Sequence, residues 1–327
     1  PAWKRHRTTV ARRVGGWFVN ARPGRRVAVA AVLAAAVCWA TTAPMLALFL
    51  RDESVDGVTL ALLRAGTAAM VLWLWLGIRR PSALRIDRSA LPGLIGYGLW
   101  SITFFYLAVS FGVAGTSASV AITLLYLAPS LVTAGGAIWL GETLSGVKLT
   151  ALAMSLIGIA LVVRLNDPGN LAGTPSGIGW ILLAAVAYAG YSLLGKRMLG
   201  RYAPETIIAW YLLFGTIGLI VVKLLTTPGD WPEPRHLASM ALLLGLLTTL
   251  LPTSLYLFAL TGLPSSEASI ITAIEPVITV AIAAVLLDER LEPIQVLGSA
   301  LVLASVVLVN AGGLPRATQK SDSSRSS

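Results

Sequence analysis

The sequence has almost none of the side chains that bind metal ions or act as nucleophiles. Its 327 residues include one cysteine, Cys38, and two histidines, His6 and His236. A single cysteine within an apolar run supports neither a disulfide framework nor a cluster of thiolate ligands. The histidines lie far apart, in a basic tail and in a connecting segment, which removes most hydrolytic and metal-centred mechanisms. We therefore expect no catalytic residues, no bound metal and no cofactor.

Charged residues are also scarce, whereas apolar residues are abundant. They make up 12% and 56% of the chain, while ordinary soluble domains contain roughly 25% charged and 45–50% apolar residues. The mean hydropathy is +0.78. Apolar runs of about twenty residues recur along nearly the whole chain, and the core helices of soluble proteins are shorter and carry a polar face. The composition therefore predicts an all-α membrane protein.

Ten apolar segments are each near the length that crosses about 30 Å of hydrocarbon. With the N-terminus in the cytoplasm, 19 Lys and Arg residues in the tails, in the loops and near segment ends lie on the cytoplasmic side, and five lie on the other side. The positive-inside rule therefore predicts a multi-pass protein of the cell (inner or plasma) membrane with both termini cytoplasmic. We place the ten transmembrane helices at residues 27–50, 58–78, 90–111, 116–139, 147–163, 177–194, 206–225, 237–260, 266–287 and 293–312.

Eight basic residues precede the first apolar segment and give the tail its charge. They are interleaved with Trp3, Trp17 and Phe18, a composition typical of a tail that lies on an anionic membrane surface. The basic residues are not arranged on an amphipathic recognition element. We therefore expect the lipid bilayer, and no nucleic acid, as the partner of this tail.

The second half of the chain repeats the first at an offset of 147–150 residues. Each half contains five segments, and because five is odd, the second half enters the membrane from the opposite side. Inverted repeats are a design of secondary transporters, whose substrate site lies near the midplane between the halves. The matches include Trp39-Ala40 with Tyr188-Ala189, Ala118-Ser119 with Ala268-Ser269, and Pro129 and Glu142 with Pro276 and Glu289.

The repeat also divides the chain. We expect two five-helix repeats that are joined by a short link and flanked by two tails. Their ranges are 1–26 for the basic cytoplasmic tail, 27–166 for the first repeat, 167–176 for the outer link, 177–314 for the second repeat and 315–327 for a disordered cytoplasmic tail.

Two related motifs close the fourth and ninth segments. Pro129 is followed by Leu-Gly-Glu-Thr-Leu at 140–144, and Glu275-Pro276 by Leu-Asp-Glu-Arg-Leu at 287–291. With these motifs the chain resembles the EamA-type proteins of the drug/metabolite transporter (DMT) superfamily, with Asp288 in place of the usual Gly. The resemblance implies ten helices in two EamA-like repeats, a cavity lined by spans 1, 3, 4, 6, 8 and 9, and export of amino acids, their derivatives or other small metabolites. It does not identify the substrate.

Two ionisable residues fall clearly within the predicted spans and away from their ends, Arg64 in the second and Glu275 in the ninth. Such residues are expensive in the bilayer, at about 2.5–3.5 kcal/mol each on insertion scales, and they mark functional sites by default. In a functional interpretation, Glu275 contacts a substrate ammonium or takes a coupling proton, and Arg64 binds a carboxylate or its counter-ion. In a structural interpretation, Glu275 bonds to backbone amides and Arg64 snorkels outward or braces loops.

Polar and aromatic side chains recur at helical spacing within several spans. Each set defines one helix face, and together these faces could wall a cavity suited to amphipathic metabolites. The alternative is hydrogen bonding between helices, which Ser and Thr commonly supply in membranes. The candidates for substrate binding are Trp39, Thr42, Tyr97, Trp100, Thr123, Tyr126, Tyr188, Tyr191, Ser192, Thr253 and Tyr256.

Proline and small residues complete the pattern. Pro129, Pro276, Pro252 and Pro44 fall within spans and predict kinks, because each removes a backbone hydrogen bond. The repeat-equivalent pair Pro129 and Pro276 is predicted to form matched bends that gate the two sides. The small residues Ala151, Ser155 and Gly158 in span 5, and Gly298, Ala304 and Ser305 in span 10, predict close packing of helices or contacts in a homodimer.

The features together predict a secondary transporter that exports small metabolites such as amino acids by alternating access. Its expected partners are a small-molecule substrate and a coupling proton. Nucleophile elbows, zinc-protease motifs and phosphate loops are absent from the sequence, which argues against an enzyme. A channel-like protein or a non-transporting membrane partner subunit remains the alternative.

Overall fold

The structure is a computed structural model that describes residues 23–42, 45, 55–116, 118–165, 167–168, 173–226, 241–287 and 292–312. In this part of the chain, eight helices are long and apolar enough to cross a membrane, and Gly146–Val162 is a shorter apolar helix. The first span is described as Arg25–Ala40. The prediction of an all-α membrane protein with ten transmembrane helices in two inverted five-helix repeats is confirmed.

Short connections join several of the spans. Two 3₁₀ turns, Pro81–Leu84 and Arg88–Ala90, join the second span to the third. The spans are Arg25–Ala40; Gly57–Arg79; Leu91–Gly98, Leu99–Phe104 and Phe105–Ala114; Ala118–Leu125 and Ala128–Leu140; Gly146–Val162; Pro175–Met198; Pro204–Thr226; Ala241–Leu260, which includes Leu246–Leu250 and Leu251–Leu260; Ser265–Thr272 and Glu275–Leu287; and Pro293–Gly312.

Side-chain caps fix where several helices begin. The Asp56 carboxylate accepts hydrogen bonds from the amides of Val58 and Thr59, and Thr174 accepts one from the amide of Gly177. Such caps satisfy amides that have no partner within the helix. The fourth span ends at Gly141, whose φ of +67° lies in the left-handed region that glycine adopts without strain.

The fourth and ninth spans are each broken in the middle. Turns at 126–127 and at 273–274 interrupt their helices. Pro129 and Pro276 each occupy the second position of the helix that follows the break, where a missing amide hydrogen bond is tolerated. The interruptions predicted near these prolines are therefore present, whereas their role in gating stays a prediction. Pro44 and Asp288 lie outside the described residues.

The third and eighth spans, which are also equivalent, each contain a π-helical segment. These segments are Leu99–Phe104 and Leu246–Leu250, and Pro252 lies two residues after the end of the second. π-Helical turns widen a helix locally and occur frequently at functional sites. The sequence periodicity did not predict them.

Two pairs of spans join the repeats along their length. Spans 5 and 10 touch through glycines, because a methyl group added at Gly158 would lie 2.7 Å from the Gly298 carbonyl oxygen, and one added at Gly298 would lie 2.6 Å from that of Gly158. Spans 2 and 7 are tied by the Trp73 indole, which donates a 2.8 Å hydrogen bond to the Ala209 carbonyl. The close packing predicted from the small residues therefore occurs within one chain.

The bundle has two ends. We call the end where span 1 begins and span 10 finishes the termini face, and the other end the opposite face. The ninth span starts at the termini face, and the second and fourth spans start at the opposite face. These names carry no assumption about the compartment on either side.

Candidate functional site

A cavity of about 250 Å³ lies between the two repeats. Spans 1, 3, 4, 6, 8 and 9 all line it, as expected, and spans 2 and 7 add Arg64 and Tyr211. The lining residues are Trp39, Thr42, Arg64, Ser101, Ile102, Phe105, Tyr106, Val109, Leu125, Tyr126, Ala128, Pro129, Tyr188, Tyr191, Tyr211, Thr248, Thr249, Thr253, Thr272 and Glu275. Most of the wall is aromatic or hydroxyl-bearing, and it contains two ionisable groups of opposite charge.

Arg64 reaches from the second span to the π-helical segment of the eighth. Its Nη2 donates to the Thr248 carbonyl at 3.2 Å, and its Nε lies 3.3 Å from Thr249 Oγ1. The guanidinium carbon also lies 5.3 Å from the centre of the Tyr106 ring, within the range of a cation–π interaction. Arg64 is therefore held in place by two spans and presents its charge to the cavity.

Glu275 begins the second half of the ninth span, directly after the break. Tyr126, which lies in the break of the fourth span, donates a hydrogen bond to the Glu275 carboxyl group. The hydroxyl of Tyr188 lies 3.5 Å from that of Thr272, the last helical residue before the break in the ninth span. The two interrupted helices thus meet at Glu275.

Aromatic rings form two layers on one side of the cavity. Tyr191 lines the cavity, and its ring stacks on Tyr97 at 6.1 Å and on Tyr256 at 5.7 Å between ring centres. The Tyr97 hydroxyl donates to the Tyr191 carbonyl at 2.9 Å, and the hydroxyls of Ser192 and Tyr256 lie 2.7 Å apart. Tyr97, Ser192 and Tyr256 are buried in this second layer, where they position the lining residues.

The structure thus divides the predicted site residues into two groups. Trp39, Thr42, Arg64, Tyr126, Pro129, Tyr188, Tyr191, Thr253 and Glu275 line the cavity, whereas Tyr97, Trp100, Thr123, Ser192, Tyr256 and Pro276 do not. Trp100 stacks on Phe104 at 5.0 Å and packs on Gly190. Whether the first group binds substrate stays a prediction.

Sequence reasoning missed several lining residues, among them Ser101, Tyr106, Tyr211 and Thr272. Ser101 lies in a π-helical segment, where regular α-helical spacing assigns the wrong face. Tyr106 had a usable signal, because it is the repeat equivalent of the candidate Tyr256. For Tyr211 we find no such signal, since the seventh span was not expected at the cavity.

Two inverted helical bundles with a cavity between them are a design found in secondary transporters. The sequence profile of the EamA-like transporter family matches residues 26–164 and 175–311, one match in each repeat. The chain therefore belongs to the EamA-like transporter family, and it is a multi-pass membrane protein.

Individual relatives are distant but are covered over nearly their full length. A probable terminal-alkyne amino-acid exporter of Streptantibioticus cattleyicolor is 26% identical over 300 residues, which cover 91% of this chain and 98% of that protein. An uncharacterized inner membrane transporter of Salmonella typhimurium, YicL, is 26% identical over 290 residues, or 88% and 96% of the two chains. A solved crystal structure superposes with a TM-score of 0.75 at 19% identity and covers 87% and 96% of the chains.

Proposed function

We propose that the protein is a secondary transporter of the cell membrane that exports small zwitterionic metabolites, such as amino acids or their derivatives. The observation that carries this proposal is the cavity with Arg64 and Glu275 in its wall. A guanidinium suits a carboxylate through paired hydrogen bonds, and a carboxylate suits an ammonium group. The aromatic residues between them suit an apolar side chain.

The two charges have different neighbours, which supports separate roles for them. Arg64 is fixed by the eighth span, and Glu275 by Tyr126 of the fourth span. A zwitterion would therefore bridge the two repeats, with its carboxylate on one side and its ammonium on the other. In this proposal a proton competes with the ammonium for Glu275, which couples export to proton entry.

Alternating access would be carried by the broken helices. Glu275 lies immediately after the break in span 9, and Tyr126 lies within the break in span 4. Occupancy of the cavity would thus be sensed at the two points where the gating spans bend most easily. The amino-acid exporter of S. cattleyicolor named above supports this substrate class, at 26% identity.

The proposal also includes the orientation given by the positive-inside rule, with the termini face in the cytoplasm. Reporter fusions at both ends of the chain test it: an alkaline phosphatase fusion should be inactive and a fluorescent protein fusion should be fluorescent at each terminus. Active phosphatase at either end would reverse or refute this orientation.

Counterflow in proteoliposomes tests the transport function. Vesicles loaded with one unlabelled amino acid should take up its labelled form faster than empty vesicles, and the rate should saturate.

Arg64→Gln should raise the KM for substrates with a free carboxylate but not for the matching amino-alcohols, which lack it. Ohmic current without saturation would instead indicate a channel, and no counterflow with any zwitterion would overturn the proposed substrate class.

A further inference from the structure

A buried cluster of charges joins the two repeats at the termini face. The carboxylate of Glu267, in the ninth span, lies 2.5 Å from Arg25 Nη1 and 3.7 Å from Lys148 Nζ. Arg25 begins the first span and Lys148 lies in the first turn of the fifth. A carboxylate of the second repeat is therefore held by two cations of the first. We call Arg25, Lys148 and Glu267 the triad.

Glu142 holds the same end of the ninth span from a different side. Its carboxylate accepts hydrogen bonds from the amide and hydroxyl of Ser265, at 2.7 and 2.9 Å, and from those of Ser266, at 3.1 and 2.5 Å. A carboxylate at a helix N-terminus is favoured by the free amides and by the helix dipole. Lys148 also donates to Ser266 Oγ at 3.1 Å, which links the cap to the triad.

The helix held in this way lies between the cavity, which Thr272 lines, and the termini face. All eight residues of Ser265–Thr272 are buried. This half-helix runs from the termini face to the break at Glu275, and the neighbouring end of the eighth span is fully buried at Leu257 and Leu260. Movement of the half-helix away from Arg25, Lys148 and Glu142 would open a path from the cavity to the termini face.

The repeat symmetry provides an internal comparison for this gate. In the register of the repeat, each charged member of the triad corresponds to an uncharged residue at the opposite face. Arg25 corresponds to Thr174, Lys148 to Gln295, and Glu267 to Ser117, of which Ser117 lies outside the described residues. By contrast, Glu142 keeps a glutamate, Glu289, as its counterpart in the sequence.

The described part of the opposite face shows what replaces the charges. Thr174 stands at the start of span 6, as Arg25 stands at the start of span 1. Its amide and hydroxyl donate to the carbonyl of Gly115, at 2.8 and 3.1 Å, next to the start of span 4. The same inter-helix position therefore carries neutral hydrogen bonds at one face and an ion pair at the other. The repeat therefore preserves the fold at this position but not the charges of the triad.

We propose that the triad sets the resting orientation of the transporter. It keeps the termini face closed in the substrate-free protein, so that the cavity rests toward the opposite face. Opening the termini face separates a buried carboxylate from two cations, whereas opening the opposite face separates neutral hydrogen bonds at the equivalent position. Hydrogen bonds between charged groups are roughly twice as strong as neutral ones, so the two closures differ in strength. This inference rests on the proposed function, because it presumes alternating access.

Sided labelling of one cavity cysteine tests the proposal. The reporter is Leu125→Cys in a Cys38→Ala background, since Leu125 lines the cavity and is only partly buried, and Cys38 is the single cysteine of the chain. A membrane-impermeant maleimide is applied to sealed vesicles of either orientation without substrate. The protein with an intact triad should be labelled mainly from the opposite face.

The decisive variant replaces each triad member by its repeat counterpart: R25T, K148Q and E267S together. This leaves no unpaired charge and makes the two gates alike. Labelling from the termini face should rise by about tenfold, because the ratio of the two orientations follows their difference in free energy. If the triple variant were still labelled mainly from the opposite face, the proposal would be overturned.

The matched control is Glu292→Gln, which removes the half-exposed partner of Arg164 at the opposite face and should leave labelling unchanged.

A reciprocal variant keeps the proposal testable if the triple variant does not fold. T174R, S117E and Q295K introduce the triad at the opposite face while the native triad stays intact. Labelling from the opposite face should fall to the level seen from the termini face, and no change would count against the triad. Neither assay needs a transported substrate. Failure of amino-acid counterflow would therefore refute the proposed substrate class, and the labelling result could still be interpreted.

Discussion

The ammonium nitrogen of Lys223 lies 2.9 Å from Asp56 Oδ2, and the Lys223 side chain is only 1% exposed. This ion pair joins span 2 to span 7 at the opposite face. At the termini face the same two spans are joined again, where Arg80 lies 3.6 Å from Glu205. Spans 2 and 7 belong to different repeats, so they are tied to each other at both ends. We expect them to move as one unit during transport.

Removal of Asp56 should destabilise the protein strongly. Asp56→Ala leaves the Lys223 ammonium buried without this carboxylate and also removes the cap of span 2, so we expect a loss of about 3–5 kcal/mol. Thermal unfolding in detergent measures it. The double variant Asp56→Ala, Lys223→Met should regain part of the loss because it removes the buried charge. A double variant less stable than Asp56→Ala would contradict this explanation.

The pH dependence of stability should report the cap made by Glu142. Burial raises the pKa of its carboxyl, but hydrogen bonds from Ser266 and Ser265 outweigh burial, so the pKa lies below its ordinary value of 4.5. A lowered pKa stabilises the folded state at neutral pH, and this contribution disappears as pH falls through the lowered pKa. The free energy of unfolding should be larger for wild type than for Glu142→Gln. This difference should be constant above about pH 5 and should decrease at lower pH.

Unfolding of both proteins between pH 3 and pH 8 measures this difference. Glu292→Gln is the control, since that side chain is 46% exposed and the strength of exposed pairs is small. A difference between wild type and Glu142→Gln that grows as pH falls would have the wrong sign for a carboxylate cap.

A methyl group added at the contact between spans 5 and 10 should lower the stability of the protein. Gly158→Ala places Cβ 2.7 Å from the Gly298 carbonyl oxygen, so the helices must separate, and overpacking of this kind costs about 1–3 kcal/mol. Gly77→Ala is a matched helical control, because nothing lies within 4 Å of the added methyl group. The melting temperature should fall for Gly158→Ala and rise slightly for Gly77→Ala. Equal shifts would show that the close approach does not matter.

The sequence was sufficient to predict the ten spans and their inversion because both follow from long-range regularities. Apolar runs of membrane length are hard to misplace, and an odd number of spans per repeat leaves one arrangement. The breaks near Pro129 and Pro276 were also predictable, since proline removes a hydrogen bond wherever it occurs in a helix.

The depth of each side chain in the wall was not predictable. Helical spacing placed Tyr97, Ser192 and Tyr256 on the correct, inward-pointing helix faces. However, an inward-pointing side chain can be separated from the cavity by a layer of other side chains, and Tyr191 and its neighbours cover these three residues. The π-helical segments shift the spacing and brought Ser101 and Thr248 to the cavity. Tertiary packing decides both effects.

The charges of the triad were misjudged for a different reason. Arg25 and Lys148 follow the positive-inside rule so well that they were counted only as topological signals. Glu267 lies at the start of the ninth predicted span and was not among the candidate residues. Only the structure shows that these charges pair across the repeats, because the residues are 242 and 119 positions apart in sequence.

Glu275 provides the most direct test of the site. Glu275→Gln keeps the shape of the side chain and removes its charge, so an ammonium group loses its partner, and we expect the counterflow rate at low substrate concentration to fall by at least about tenfold. Tyr126→Phe, which removes the hydroxyl that donates to Glu275, should have a smaller effect of about threefold to tenfold. Glu292→Gln again serves as the exposed control. Normal counterflow in Glu275→Gln, with export driven by a proton gradient lost, would assign this carboxyl to proton coupling alone. If both activities survived, the side chain would have a structural role, and the binding of a zwitterion at this point of the wall would have to be abandoned.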